Sequence, residues 1–514
     1  MSEVTLSSVS FLASGPASSA CSACPVGSPS SGAPGESFAL GSAGRGATPI
    51  PLKSAALRAV VNGSLAGAGG AGGLSRADSR PHPWFDFVAK GLIVLTLAAA
   101  FGVAFAQNRA PFIAEVPHLN FGSPLAIFWE LSGVAAIAYF FLTLGFAVRY
   151  RPVASPSDAT LPKLTVVIPA FNEGAMVRVS LLSAIENRYP ADRLEIIAID
   201  DGSTDDTWSH IEAVARAFPG RVVAVKQAKN GGKREALRTG FELATGDFVV
   251  TVDSDSQLEP DALRNIVAPM IADDRIHAVA GKVLVLNRYD NLFTRLLSAR
   301  FFVTFDLIRA AQSRFGAVLC TPGALSAYRT SGVREVLESW STQTFLGAPC
   351  TIGEDRALNT WLLRCGYRTV YQANAIVRTI MPTDFKRITR MMLRWERGNI
   401  REGFVMLPVL TTNWRREDRW WPTFEVLLEL MQYPAGYFAF ALMARQFISH
   451  PADLARAAVT LGVGALIQSL YALRSERSTD FLYGVGYAFW AFFALQWIFP
   501  YSFMTLKDGR WLTR

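Results

Sequence analysis

The chain has 514 residues, of which 50% are hydrophobic, 11% aromatic and only 18% charged, with a mean hydropathy of +0.23. A soluble protein of this size carries about a quarter charged residues, so a wholly soluble enzyme is excluded and the apolar excess must sit in particular segments. The net charge of +8 suits anionic lipid, phosphorylated substrates or nucleic acid alike, and five scattered cysteines do not make a disulfide framework.

Residues 1–80 are rich in Ser, Gly, Ala and Pro, including AGAGGAGG at 66–73, and are expected to be a disordered tail. Cys21 and Cys24 form a CxxC there, with no second Cys or His pair near enough to complete a zinc site. Residues 87–106 read FVAKGLIVLTLAAAFGVAFA, the length of apolar run that a bilayer-spanning helix requires, with Lys90 near one end where its stem reaches the interface. A second span is expected over 125–148, which makes 85–150 a transmembrane pair. Arg76 and Arg80 before the pair and Arg149 and Arg151 after it outweigh Arg109 between the spans, so the chain after Arg151 is expected in the cytoplasm.

Residues 160–400 change character. The runs LTVVIPAFNE (164–173), LEIIAIDDGS (194–203), RVVAVKQ (221–227) and DFVVTVDSDS (247–256) predict strands that stop at polar turns. Amphipathic stretches at 177–188 and 207–218 alternate with them, which predicts an α/β, doubly wound, mostly parallel sheet. Ligands of such sheets bind at the carboxyl ends of the strands, and here those ends carry carboxylates. Beyond Trp395 the chain is apolar again. WRREDRWW (414–421) reads as interfacial, and spans are expected at 424–444 and 454–473. The stretch 482–506 is interrupted by Pro500, and a third full crossing would place the basic ending KDGRWLTR outside. It is therefore read as a broken or re-entrant segment within a C-terminal membrane region, 414–514.

Several groups carry chemistry. Asp200 and Asp201 close the second strand. Two adjacent carboxylates there suit a site where a ligand compensates them, or a turn capping the next helix, a role that Asp205 equally fits. Asp253-Ser-Asp255 places two carboxylates at alternate positions of a strand exit, which suits a divalent hard cation bridging diphosphate oxygens as well as a plain polar loop. Lys229-Asn-Gly-Gly-Lys233-Arg234 sets glycines beside cations, suiting a diphosphate, without the spacing of a Walker NTPase. Gly353-Glu354-Asp355-Arg356 opens a helix. Its carboxylates serve as caps or as a general base. Arg394-Trp395 suits a clamp on a diphosphate and a sugar ring, or an interfacial helix. Glu425 and Glu429 share one helical face inside an expected span, as channel lining or at the interface.

Together PAFNE (169–173), DDGS (200–203), DSD (253–255), GED (353–355) and LRW (393–395), in that order and flanked by spans, resemble the membrane-bound, processive glycosyltransferases of family 2. Within that family the chain is most similar to hyaluronan synthases and nodulation-type chitin-oligosaccharide synthases, through GEDRALNTWLLRCGYRTVYQ (353–372), RWERGNIRE (394–402) and the ending YSFMTLKDGRWLTR (501–514). The resemblance implies a GT-A-type cytoplasmic domain over 160–400, inserted between transmembrane helices of a multi-pass cell-membrane protein. It implies a UDP-sugar donor, a growing polysaccharide acceptor and Mg²⁺ or Mn²⁺, with no nucleic acid among the partners. A homo-oligomer is left open.

By position, Asp200 would contact the uracil, with Asp201 beside it in the nucleotide-sugar site. Asp253 would contact the nucleotide, Asp255 would ligate the metal and Lys233 would contact the phosphates. Asp355, with Glu354 beside it, would activate the acceptor hydroxyl for inverting attack, while Arg394 and Trp395 would hold the diphosphate and terminal sugar. Cys320 to Gly323 matches the acceptor-site loop. Trp511, Thr513 and Arg514 resemble the gating motif at the active-site entrance. Two positions depart from the pattern: Met391 stands where the family has Gln, and Leu512 where the gating motif has Gly. The function implied is a processive, inverting β-glycosyltransferase that extrudes a hyaluronan- or chitin-like chain. A glucan synthase, a single-sugar transferase to a lipid carrier and a membrane nucleotide-sugar sensor or transporter are the alternatives.

Overall fold

The computed structural model describes residues 83–106, 124–412, 414–415, 418–431, 437, 448, 453–473 and 478–509. The readings on the 1–80 tail, Arg109, Leu512 and the gating residues Trp511, Thr513 and Arg514 lie outside the described residues, as does most of 432–444.

The catalytic region is built on eight strands: β1 (Leu164–Ala170), β2 (Leu194–Asp200), β3 (Val222–Lys226), β4 (Phe248–Thr251), β5 (Ser256–Leu258), β6 (Ile276–Val285), β7 (Ser326–Arg329) and, after a two-strand hairpin β8 (Thr344–Phe345) and β9 (Ala348–Pro349), β10 (Arg368–Thr379). Their order is β3-β2-β1-β4-β7-β6-β10-β5. The four strands predicted from sequence all form and run parallel. β1 is buried along its whole length, as a parallel strand covered on both faces must be. Val166 and Ile168 join Leu181 and Ile211 in one core, while Val167 joins Ile199, Phe241 and Trp340 in the other.

The sheet is mostly parallel, as expected, but mixed. β6 and β10 pair in parallel, but β7 runs antiparallel between β4 and β6, and β5 antiparallel to β10. The reversal at β7 has a functional consequence. Thr251, the last residue of β4, pairs with Ser326, the first of β7, so the loop 320–323 before β7 lies beside the Asp253–Asp255 turn that follows β4.

Helices Pro83–Ala106 and Pro124–Arg149 fall where the first two spans are expected. Among the described residues, one helix segment, Trp84–Val103, is long and apolar enough to cross a membrane by length and composition, and a bent pair at 479–504 makes up to two. Lys90 does not reach outward. It sits between Asp86 and Asp480 at 2.7 Å each, while Asp86 also accepts from Arg295 at 3.1 Å and Asp480 pairs with Arg288. This cluster ties the first helix to the sheet-bearing region.

Helices Thr479–Ala494 and Ile498–Met504 meet at a 52° bend. The break falls at 495–497, ahead of Pro500, which takes the third position of the second helix, where a missing N–H costs nothing. The segment after it docks on the 160–400 region. Arg397 pairs with Asp508 at 3.3 Å, and the Thr351 hydroxyl donates to the Gly509 carbonyl at 2.7 Å, two residues before Gly353.

Candidate active site

Four strand-end loops are stitched into one wall. Asn172, after β1, accepts from the Thr204 N–H at 2.9 Å. Glu173 accepts from the Ser254 hydroxyl at 2.8 Å. Asp201, after β2, accepts from the N–H groups of Gly231 and Gly232 at 2.8 and 2.9 Å. Those glycine donors are therefore engaged by a side chain, and what the Lys229–Arg234 loop offers the cavity is the Lys233 ammonium. Burial pushes the Asp201 carboxyl up and Asp200 adds to this, against the two N–H bonds.

The two acids of the pair part company. Asp201 lines a cavity of about 2230 Å³. Asp200 is fully buried beneath the wall; its Oδ1 accepts from the Ser203 N–H at 3.1 Å and its Oδ2 has no partner. Asp201 lines the cavity and Asp200 does not, because consecutive residues leaving a strand point to opposite sides.

Lys233, at the start of helix Lys233–Leu243, bonds the Asp253 carboxylate and reaches Glu354 Oε1 at 3.0 Å. Burial opposes its charge, but Asp253, Glu354 and Asp355 outweigh that and push its pKa up. Gly323 permits the approach: a Cβ there would lie 2.7 Å from Lys233 Nζ and 3.3 Å from Asp253 Oδ1.

Glu354 and Asp355 open helix Glu354–Arg364 after Gly353, whose φ of +69° is the left-handed geometry that glycine adopts without strain. The Glu354 side chain is buried. Burial opposes its ionisation, yet Lys233 and Arg394 hold its carboxyl below the usual range. Asp355 stands partly exposed on the cavity wall, with Oδ2 accepting from the Gly323 N–H at 3.0 Å and Oδ1 from the Arg356 N–H at 2.8 Å. Desolvation and the Glu354 charge push its carboxyl up.

Asp253 and Asp255 both line the cavity, and Asp255 accepts from the Thr379 hydroxyl at 3.3 Å. Two hard carboxylates fit Mg²⁺ or Mn²⁺ when substrate oxygens complete the shell. No cluster of three His, Cys, Asp or Glu forms among the described residues, so a cation here would depend on the diphosphate.

Arg394, Trp395, Cys320 and Gly323 line the same cavity. The Trp395 ring packs on Phe301 and Phe305, with the Arg300 guanidinium 5.6 Å from its centroid. Met391 lines the cavity too, supplying an apolar surface where the family has an amide. The wall extends to Tyr139, Glu425 and Glu429, and Glu429 pairs with Arg356 at 2.7 Å. Sequence reading did not single out Arg309 and gave Arg356 no role of its own. Arg356 adjoins the GED motif and was legible by position, whereas Arg309 lies in a segment that gave no periodic signal.

An acidic cavity at the carboxyl ends of a mixed, largely parallel sheet, with a lysine set among carboxylates, defines a GT-A-type glycosyltransferase domain. Residues 162–398 match the family model described as glycosyltransferase like family 2. The chain is 33% identical over 391 residues to the hyaluronan synthase of Streptococcus pyogenes serotype M3, covering 74% of this chain and 90% of that protein. It is 32% identical over 375 residues to an N-acetylglucosaminyltransferase of Rhizobium sp. strain N33, covering 71% and 81%. The fold is shared with the mannosyltransferase PcManGT of Pyrobaculum calidifontis, solved with GDP-Man and Mn²⁺, at a TM-score of 0.50 and 21% identity over 78% of this chain and 99% of that one. The chain belongs to glycosyltransferase family 2 and is a hexosyltransferase.

Proposed function

We propose that the protein is a membrane-embedded, inverting β-glycosyltransferase that polymerises UDP-sugars, UDP-N-acetylglucosamine among them, and passes the chain across the bilayer. The observation that carries this reading is the continuity of one cavity. It runs from Asp201, Lys233 and Asp255, past Asp355, to Tyr139, Glu425 and Glu429 on helices expected to span the membrane.

In this reading the donor's nucleotide lies towards Asp201 and its diphosphate between Lys233 and Arg394. Asp253 and Asp255 hold Mg²⁺ or Mn²⁺, which when bound neutralises charge on the leaving diphosphate. Asp355 takes the proton of the acceptor hydroxyl. The hydroxyl oxygen forms its bond to the anomeric carbon as the bond to the diphosphate breaks on the opposite face, and UDP leaves with that electron pair. Glu354 keeps Lys233 and Arg394 in register, while Trp395, Cys320 and Gly323 shape the acceptor side. Trp511, Thr513 and Arg514 are assigned to gating on the resemblance of their motif alone.

The test supplies labelled UDP-N-acetylglucosamine, UDP-glucuronate and UDP-glucose, singly and in pairs, to the full chain in lipid with Mn²⁺. Polymer from N-acetylglucosamine alone identifies a chitin-type synthase, and polymer only with glucuronate a hyaluronan-type one. Polymer from glucose identifies a glucan synthase, and short lipid-extractable product a carrier-linked transferase. No turnover with any donor refutes the proposal.

A further inference from the structure

One buried cation on the cavity wall has no part in the transfer chemistry above. Arg309 is 5% exposed, lies in helix Ile308–Ser313 immediately after the π-helical turn Phe302–Leu307, and lines the cavity. Its guanidinium stacks 4.1 Å from the centroid of Phe305, which in turn packs on Trp395. It hydrogen-bonds the Cys320 thiol, and the Tyr371 hydroxyl and the Asp355 carboxylate act on it electrostatically. Among the described residues no carboxylate forms an ion pair with it, and its Nη1 has no hydrogen-bond partner. The acid on the preceding turn, Asp306, is already taken by Lys282 at 2.8 Å and the Tyr371 hydroxyl at 3.0 Å.

A desolvated guanidinium without a counter-charge is expensive, and buried N–H groups are satisfied almost without exception. Arg309 has no counter-charge, only the weak Cys320 thiol as a partner and one unpartnered N–H, so the acceptor it lacks is assigned to whatever fills the cavity. Its position says which ligand. Lys233 and Arg394 converge on Glu354, whereas Arg309 reaches the reaction centre from the side of Cys320 and the Phe305–Trp395 stack. A planar fork fixed against an aromatic ring best meets a charged or strongly dipolar planar acceptor rather than a hydroxyl.

Resting on the proposed polymerase function, we infer that Arg309 binds the acceptor glycan. Its free N–H donates to a carbonyl or carboxylate oxygen on the sugar next to the one that Asp355 activates. An acetamido C=O and a uronate carboxylate share that chemistry, and the test separates them.

The full chain in lipid nanodiscs, with Mn²⁺ and UDP-N-acetylglucosamine, is titrated with a chito-oligosaccharide primer or with an oligosaccharide containing glucuronate, and UDP release is followed. Arg309→Gln is expected to raise the primer concentration at half-saturation by about tenfold or more, the effect of losing one hydrogen bond to a charged group, while the donor value moves by less than about twofold. A larger shift with the N-acetylated primer assigns the amide carbonyl, and a larger shift with the uronate primer assigns the carboxylate; either supports the inference. Arg309→Lys, which keeps the charge but loses the fork, is expected to be intermediate, and it reads the same effect if the Gln variant does not fold. Unchanged saturation by both primers overturns the inference, as does a fall in kcat alone. Direct calorimetric titration of the primers separates this from the parent reading. An enzyme inert with every donor sinks the polymerase proposal, whereas primer binding that is equal in wild type and variant sinks only the role of Arg309.

Discussion

Asp355→Asn isolates the proposed base with a change of one side-chain atom. The carboxylate accepts two backbone N–H groups, from Gly323 at 3.0 Å and Arg356 at 2.8 Å. Whichever oxygen becomes NH₂ then faces a donor, at a cost of about 1–3 kcal/mol. Removing the charge that Glu354 repels offsets part of this, because the site already favours the neutral form. The variant is therefore expected to fold, with melting shifted by a few degrees. An amide takes no proton, so turnover should fall ~10²–10⁴-fold, the share of a positioned general base. At about 1.4 kcal/mol per decade this is about 3–5 kcal/mol of barrier. The assay is UDP release in lipid with labelled donor, alongside UDP binding measured by calorimetry. UDP affinity should hardly change, because Lys233 and Arg394 are untouched. Turnover within a few-fold of wild type would refute the role of Asp355. So would a loss of UDP affinity as large as the loss of rate.

The raised carboxyl of Asp355 ties activity and stability to pH in opposite senses. Its ionised form is the working form, so turnover should fall as pH drops through its folded pKa. The fold penalises that charge, so this destabilisation is present above the folded pKa and relieved as pH falls towards the unfolded value. A kcat profile whose acid limb sits at or below the ordinary carboxylate range contradicts the assignment. Lys233→Met removes the cation between Asp253 and a nearly buried Glu354. It should destabilise the chain by about 3–5 kcal/mol and raise the donor concentration at half-saturation, an idea that unchanged melting and donor saturation would rule out. Gly353→Ala must hold φ +69° and set a Cβ 3.2 Å from an Arg401 nitrogen, so melting should report a loss of about 1–2 kcal/mol; an unchanged melting curve would count against the left-handed cap. A chelator should abolish UDP release, and Asp255→Asn should move the Mn²⁺ titration to higher concentration; coincident titrations would remove Asp255 from the metal site.

The parts of this site that can be read from sequence are those where a local signal coincides with the chemistry. β1, β2 and β4 are short β-branched runs ending in polar turns, so Asp201, Asp253 and Asp255 are placed at strand ends without any coordinates. Lys233 and Asp355 follow glycines that mark helix starts. The division of labour between Asp200 and Asp201 is not local, since it depends on which side of β2 the sheet turns to the cavity. β6 and β10 are harder still. IHAVAGKVLV is broken by Gly281 and by Lys282, whose charge is met by Asp306 from a distant helix turn. RTVYQANAIVRT carries polar residues through its centre and pairs with a strand about ninety positions earlier, with a register shift between Gln372 and Ile376. Arg309 follows a π-turn, where no 3.6-residue period survives to announce a helix face.

The adjacent acids of the GED motif show why spacing finds such a site and only surroundings assign its parts. Glu354 turns inward to Lys233 and Arg394, and the two cations keep it ionised despite burial. Asp355 turns to the cavity, where its own neighbour is the repelling charge, so its affinity for a proton rises. In the proposed reaction one acid would be a fixed anion that orients the cations facing the leaving group, and the other would be tuned towards accepting a proton; pushing two neighbouring pKa values apart is how a fold divides such labour. The roles are coupled as well as distinct. Glu354→Gln would free Lys233 and Arg394 and also lower the proton affinity of Asp355, so its acid limb should move down in pH while donor binding weakens. Asp255→Asn, away from that pair, should weaken metal-dependent binding and leave the limb in place. A Glu354→Gln profile that keeps the wild-type limb would show that the neighbouring charge does not set the proton affinity of the base.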